Sequence, residues 1–236
     1  MTTADQDQRL MLNWADVDTV MFDMDGTLLD LHFDNYFWET LVPTTYGQRV
    51  GMDAETAWAH LQQQYRAIHG KLDWYCIDFW TDKLQLDIQG MKNATRDKIA
   101  LRPNVMPLLT RLQEHRKNVL LVTNAHPGSL NLKMQHTGLQ KHFQRLISSH
   151  ELGLAKENEG FWTALRNVAP YDPDRTVLFD DNFNVLHRAR TEGIRHLFGI
   201  TLPDSQRPPV QHDEFVCLHD FDQIMPPMAV AAHHER

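Results

Sequence analysis

Cysteine is scarce in this chain. Cys76 and Cys217 are the only two, far apart and without companions at metal-ligand spacing, so neither a zinc site nor a disulfide framework is expected and both read as ordinary buried thiols. Long apolar runs are missing as well. None approaches the roughly 20 residues of a membrane-spanning helix, and the polar start Thr2 to Arg9 has no signal-peptide apolar region, so a cytoplasmic protein with no membrane partner is expected. Positive charge is in deficit. With 23 Lys and Arg against 31 Asp and Glu, the formal charge is −8, which argues against general nucleic-acid binding because that needs a basic footprint. An anionic substrate stays compatible, since one divalent cation inverts the local field. The histidines are scattered; the pairs His212/His219 and His233-His234 show no ligand pattern and read as surface groups. Apolar residues are ample: 236 residues, 42% of them hydrophobic, can build one large domain or two smaller ones with proper cores.

The most informative stretch is Asp23-Met24-Asp25-Gly26-Thr27-Leu28-Leu29-Asp30, joined without a polar break to Thr19-Val20-Met21-Phe22. The preceding four residues read as a strand buried on both faces, and Gly26 lets the backbone turn away just afterwards. Two carboxylates are thereby set at the carboxyl end of a strand, where open α/β sheets bind ligands. If the strand conformation continued, Asp23 and Asp25 would point the same way, and like charges that close need a cation or a shared proton. A lone Asp-x-Asp is more often a solvated turn, so the meaning of the pair depends on what lies downstream.

Residues 1–18 read as a polar lead-in, with Trp14 and Val17 packing on the first strand. From about 31 to 100 the pattern is helical with no clear strand. A helix over Asp34 to Leu41 must end or kink at Pro43; Asp53 caps a helix bearing Trp58, Leu61, Tyr65 and Ile68 and stopped by Gly70; Asp73 opens another with Ile77, Trp80 and Leu84 on one face. From Asn104, a cap for Val105, Leu108, Leu109 and Leu112, helices alternate with strands. The strands are Val119–Val122, Arg145–Ser148, Thr176–Phe179 and His196–Gly199, with a late one at Phe215–Leu218; the helices run from Pro127 to Gly138, from Asn158 through Phe161, Leu165 and Val168, and from Asn182 to Gly193. Such alternation predicts parallel strands joined by right-handed crossovers, hence a doubly wound, Rossmann-like α/β core over residues 1–30 and 101–225, a helical cap over 31–100 and a loose tail over 226–236.

In such a sheet Asp23, Thr123 and Asp180-Asp181 end parallel strands, and Lys156 begins the helical turn after another. Their convergence supplies a nucleophile, an acid/base, donors for non-bridging oxygens and acidic ligands for magnesium, which is the inventory of phosphoryl transfer. The aromatics are unevenly spread. Half of the 22 lie between Phe33 and Trp80. Most of these rings serve a small helical core, but a surplus facing a phosphate site suits stacking of a nucleobase.

The stretch Asp-Met-Asp-Gly-Thr-Leu at 23–28, followed in order by Thr123, Lys156 and Asp180-Asp181, resembles the four motifs of the haloacid dehalogenase-like hydrolases, and the likeness runs over essentially the whole chain. The stretches Phe33-Asp34-Asn35-Tyr36-Phe37-Trp38, Gln63-Gln64-Tyr65, Asp73-Trp74-Tyr75-Cys76 and Thr123-Asn124-Ala125-His126-Pro127 resemble the bacterial GMP/IMP 5′-nucleotidases among them. One departure is Glu157, which follows Lys156 where many members have proline.

The resemblance implies Asp23 as nucleophile and Asp25 as general acid/base. Magnesium would be held by the Asp23 carboxylate, the Asp25 backbone carbonyl and the pair Asp180/Asp181, with Asp181 the favoured direct ligand. Thr123, Asn124 and Lys156 would bind the phosphoryl group, and Phe37, Trp38, Trp74 and Tyr75 are the first candidates to contact the base. The implied activity is a magnesium-dependent purine nucleoside 5′-monophosphatase. A sugar phosphate or phosphoglycolate phosphatase is the alternative; an idle phospho-ligand sensor and a dehalogenase are disfavoured, the former because a pure binder has no use for the second carboxylate.

Overall fold

The structure, a computed structural model, describes residues 12–228. The expected polar start at Thr2 to Arg9, the pair His233-His234 and the tail beyond Met228 therefore lie outside the described residues. Six strands form one parallel sheet. They are β1 (Thr19–Phe22), β2 (Asn118–Thr123), β3 (Arg145–Ser148), β4 (Thr176–Phe179), β5 (His196–Ile200) and β6 (Val216–Leu218), in the spatial order β3-β2-β1-β4-β5-β6. All four residues of β1 are buried, and so are all four of β4.

Alternation along each strand divides the core into two layers. Val20, Phe22, Val119, Leu121, Val177 and Phe179 face one layer, and Met21, Leu120, Val122 and Leu178 face the other. Helix α6 (Val105–Glu114) and α7 (Pro127–Thr137) cover the first face through Leu108, Leu109, Leu112, Leu130 and Met134. Helices α9 (Phe161–Val168) and α10 (Phe183–Thr191) cover the second through Phe161, Trp162, Leu165, Val185 and Leu186. This is the doubly wound α/β arrangement the alternation predicts. Trp14 and Val17 pack on the first layer, with the Trp14 indole N–H donating to the Ile224 carbonyl at 2.8 Å.

Between β1 and β2 the chain inserts α1 (His32–Tyr36), α2 (Val42–Val50), α3 (Ala54–Ile68), α4 (Ile77–Leu84) and α5 (Ile88–Ala94) around a cluster of their own, including Phe37, Leu61, Tyr65, Trp80 and Ile88. Phe33 belongs instead to the first layer of the sheet. Pro43 does not end the helical run. A π turn at Phe37–Leu41 leads without a gap into α2, and this wider turn immediately before Pro43 is where the run accommodates the proline's ring and missing N–H. Asp53 caps α3 as expected, accepting from the Thr56 N–H at 2.8 Å.

Three helix starts differ from the expectation. Asp73 lies in a 3-10 turn (Leu72–Tyr75), and α4 begins at Ile77 behind Cys76, whose Sγ accepts from the Phe79 N–H at 3.4 Å. Asn104 is left-handed at φ +56° and does not cap; its amide reaches Asp220 at 2.8 Å instead. Helix α9 starts at Phe161, because Asn158 is held in a loop by Ala155 and by the Gly70 carbonyl. Both cysteines are free and half-buried rather than buried. Among the described residues no helix is long and apolar enough to cross a membrane.

Candidate active site

Because β1 and β4 run in register, with Phe22 beside Phe179, Asp23 and Asp180 leave the sheet side by side. The chain quits strand geometry at Phe22 and turns at Gly26, φ +79°. Strand pairing thus stops just before the two carboxylates, which are near enough for Asp23 to raise Asp25 yet take different lysine partners. Asp23 Oδ1 accepts from Lys156 Nζ at 2.5 Å, whereas Asp25 Oδ1 accepts from Lys133 Nζ at 2.6 Å. Gly26 is required twice over, since a Cβ there would stand 2.5 Å from Asp181 Oδ2. The buried Arg102 fixes the turn by donating to the carbonyls of Gly26 and Thr27 at 3.4 and 3.3 Å.

Lys156 Nζ also donates to Asp180 Oδ2 at 2.6 Å, and all three side chains are almost wholly removed from water. Burial pushes the Asp23 carboxyl up to about 6; Lys156 opposes the rise and Asp180 adds to it. Asp180 is raised by burial against Lys156. Asp181 is raised well above the ordinary range by burial and by its neighbours Asp23 and Asp180. Burial would lower Lys156, but the two carboxylates outweigh it and hold the ammonium above the usual lysine range. Asp25 is also pushed up to about 6, by burial and by Asp34 acting against Lys133.

Asp25 is one end of a buried chain of alternating charge. Lys133 Nζ donates onward to Asp34 Oδ2 at 2.6 Å, and Lys92 Nζ to Asp34 Oδ1 at 2.8 Å. Burial alone would raise Asp34, yet the two ammonium groups hold it well below the carboxylate range. Lys92 lies over the Phe37 ring at 4.5 Å, a cation–π contact. The sequence reading missed both lysines. Their signal was position: Lys133 shares a helical stripe with the buried Leu130 and Met134, and Lys92 follows the buried Ile88 by four residues.

Thr123 is buried at the end of β2, where its Oγ1 accepts from the Ala125 N–H at 3.0 Å. Asn124 positions the lysine loop, its Oδ1 accepting from the Lys156 N–H at 2.8 Å. Its amide donates to Glu157 Oε2 at 2.8 Å, and Tyr75 OH donates to Glu157 Oε1 at the same distance. Burial and that carboxylate drive the Tyr75 phenol above its usual range, so it stays protonated and donates. Glu157 thus ties the insertion to the loop that carries Lys156.

Sheet edge and insertion together enclose a cavity of about 340 Å³. Asp23, Asp25, Thr123, Asn124, Lys156, Asp180 and Asp181 line it, and so do Trp38, Trp58, Trp74 and Tyr75. Phe37 is the exception among the expected site residues. It is fully buried in the insertion's cluster, because the π turn directs it inward against Phe33, Trp38 and Lys92, and it has no face on the cavity.

Carboxylate oxygens of Asp23, Asp180 and Asp181 lie within 4.8 Å of one another. Hard oxygen donors so spaced, with proton affinities raised chiefly by burial, fit a hard divalent cation such as magnesium. The Asp25 carboxylate is not in this set, being engaged by Lys133. Both Asp180 oxygens have partners, Lys156 and the Asn182 N–H, while Asp181 faces the Gly26 turn. A carboxylate beside a buried ammonium, with a second carboxyl of raised proton affinity nearby, can attack an electrophile and then move a proton.

Two curated relatives come from Escherichia coli. A GMP/IMP nucleotidase, YrfG, is 41% identical over 213 residues, covering 90% of this chain and 96% of that protein. A pyrimidine 5′-nucleotidase, YjjG, is 24% identical over 217 residues, covering 75% of this chain and 90% of that one. Among solved structures, a HAD phosphatase from Thermococcus onnurineus superposes with a TM-score of 0.72 at 19% identity, over 85% of this chain and 91% of the other. L-2-haloacid dehalogenase from Xanthobacter autotrophicus superposes at 0.54, with 17% identity and 78% of each chain covered. The family model of the haloacid dehalogenase-like hydrolases matches residues 17–186, which span β1, the insertion and every strand-end residue of the cavity, and the chain belongs to that family.

Proposed function

We propose that the protein is a magnesium-dependent phosphatase that hydrolyses purine nucleoside 5′-monophosphates, of the GMP and IMP type, through an aspartyl-phosphate. The observation that carries this reading is one cavity with a carboxylate–ammonium floor and an aromatic wall: Asp23, Lys156 and Asp180 at one end, Trp38, Trp58, Trp74 and Tyr75 at the other. Its volume, about 340 Å³, falls at the lower end of the roughly 300–1,000 Å³ common for small-molecule sites. The relative YrfG supports the substrate class. In this reading residues 31–100 act as a cap over the site, and the enzyme works in the cytoplasm.

The mechanism follows from the partners of each side chain. An Asp23 oxygen attacks phosphorus while the bond from phosphorus to the ribose 5′-oxygen breaks. Asp25, whose raised proton affinity keeps it protonated further toward neutrality than an ordinary carboxyl, gives its proton to that oxygen. The same carboxylate then takes a proton from the water that attacks phosphorus, and the Asp23 carboxylate is released. Lys156 and Thr123 offset and orient the non-bridging oxygens, and Asn124 holds the Lys156 backbone in place. Asp23, Asp180 and Asp181, with the Asp25 backbone carbonyl, would hold magnesium, which supplies charge stabilisation for the transferring phosphoryl group.

Two measurements test the reading. Asp23→Asn is nearly isosteric but cannot form the phosphoenzyme, so turnover should vanish while the fold survives. Retention of most activity at saturating magnesium would sink the mechanism. Across a substrate panel, 6-oxopurine 5′-monophosphates should have higher kcat/KM than pyrimidine nucleotides and ribose 5-phosphate. A reversed order would leave a phosphatase of another specificity.

A further inference from the structure

We propose that Cys76, His126 and His150 form a second cation site, for a thiophilic divalent ion such as zinc, that fastens the helical insertion to the sheet edge. The three residues come from different parts of the chain. Cys76 precedes α4 in the insertion, His126 precedes α7 at the exit of β2, and His150 lies in the short helix α8 (Ser149–Leu152) after β3. The fold nevertheless brings one donor atom of each within 4.8 Å of the others. The two imidazole rings stand 5.0 Å apart at 79°.

A second observation points to a missing partner. His150 Nε2 is buried and has no hydrogen-bond partner among the described residues, although native proteins satisfy nearly all such atoms. Burial and the neighbouring His126 ring hold this imidazole down at about 4, so it is neutral. Asp78, two residues from Cys76, places Oδ2 at 3.3 Å from His126 Nε2, where it can serve as a fourth ligand or orient the ring.

The donor chemistry separates this site from the catalytic one. Thiolate and imidazole select zinc and its neighbours, while the carboxylate set of Asp23, Asp180 and Asp181 suits magnesium. Tetrahedral zinc, with bonds of about 2.3 Å to sulfur and about 2.0 Å to nitrogen, needs ligand atoms about 3.5 Å apart, so side-chain rotations of about 1 Å close the set. Coordination releases the Cys76 thiol proton to solvent. If His126 ligates through Nε2, its tautomer changes and it gives up the bond its Nδ1 accepts from the Gly128 N–H at 3.2 Å.

Cys76 adjoins Tyr75, and Trp74 is one residue further, both on the cavity wall. A cation bound here would pin that wall against α7 and α8 and slow the opening of the cavity. Inhibition by zinc rests on the phosphatase reading; binding of the ion does not.

Cobalt(II) is the probe, because a thiolate ligand gives a near-ultraviolet charge-transfer band independent of any activity. The band should appear on titrating the whole protein, persist in Cys217→Ser and disappear in Cys76→Ser. His150→Gln should weaken binding by at least about tenfold. Serine also caps helices well, so Cys76→Ser should fold and keep its magnesium-supported hydrolysis of p-nitrophenyl phosphate. Absence of the band in the wild type, or its survival in Cys76→Ser, would overturn the site. Zinc should lower kcat of the wild type and not of Cys76→Ser; equal inhibition of both would refute the pinning while leaving the phosphatase reading intact.

Discussion

At Gly26 two demands coincide, a left-handed backbone at φ +79° and the carboxylate of Asp181 where a Cβ would sit. Gly26→Ala should therefore do more than strain the turn. The left-handed conformation costs about 1–2 kcal/mol for alanine, readable as a lower urea midpoint, and the methyl group must displace Asp181, so calorimetry should record weaker magnesium binding as well. Lys133 offers a sharper test of the acid/base. It pulls Asp25 down while burial and Asp34 push it up. In Lys133→Met the pull is lost and Asp34 stays, so the proton on Asp25 should be held to higher pH. If protonated Asp25 is needed for leaving-group departure, the alkaline limb of kcat/KM against pH, expected near 6 in the wild type, should move upward. A limb that stays put would free Asp25 of that role.

Helices and strands differ in how openly the sequence announces them. Strands β1 and β4 are buried on both faces, so their unbroken apolar runs and the polar residues that end them are legible directly. Helix starts are decided by partners far away: Asn104 looks like a cap, but Asp220 takes its side chain. The same holds for the site. Asp23 and Asp180 could be read from strand ends and Lys156 from the loop that follows β3, whereas Lys133 and Lys92 gain their part only from Asp34, which the fold brings to them. Phe37 was misassigned because a π turn shifts which residues face inward, and no periodicity of ordinary helices encodes that. For the insertion, Asp53→Ala should cost about 1 kcal/mol of stability through the lost cap of α3, without changing turnover of p-nitrophenyl phosphate. Trp74→Ala should cost roughly 1–3 kcal/mol in kcat/KM for a purine nucleotide, and far less for that small ester. Equal losses on both would make the ring a structural element only.

Across the whole molecule, four carboxyls at one sheet edge have raised proton affinity, the buried Asp23 and Asp180 and the half-buried Asp25 and Asp181. A group whose folded pKa is raised stabilises the fold below its unfolded value and loses that contribution as pH rises through the folded one. For Asp23 and Asp25 the window runs from 3.8 to about 6. Asp34, held low, works in the opposite sense, and its contribution is lost only in acid. A divalent cation competes with protons for the same oxygens. The magnesium-induced stabilisation, read as a rise in thermal midpoint, should therefore grow between about pH 5 and pH 8, amounting to about 2.7 kcal/mol at a hundredfold excess over Kd, and should be absent in Asp181→Asn. The chain Asp25–Lys133–Asp34–Lys92 has another consequence, for inheritance. Its members come from before, within and after the insertion. Exchanging the insertion for one without an acid at position 34 would take away one of the two carboxylates that hold Lys133 and leave Asp25 as the other. The two parts can diverge in their surfaces, but across this seam they have to be inherited as a set.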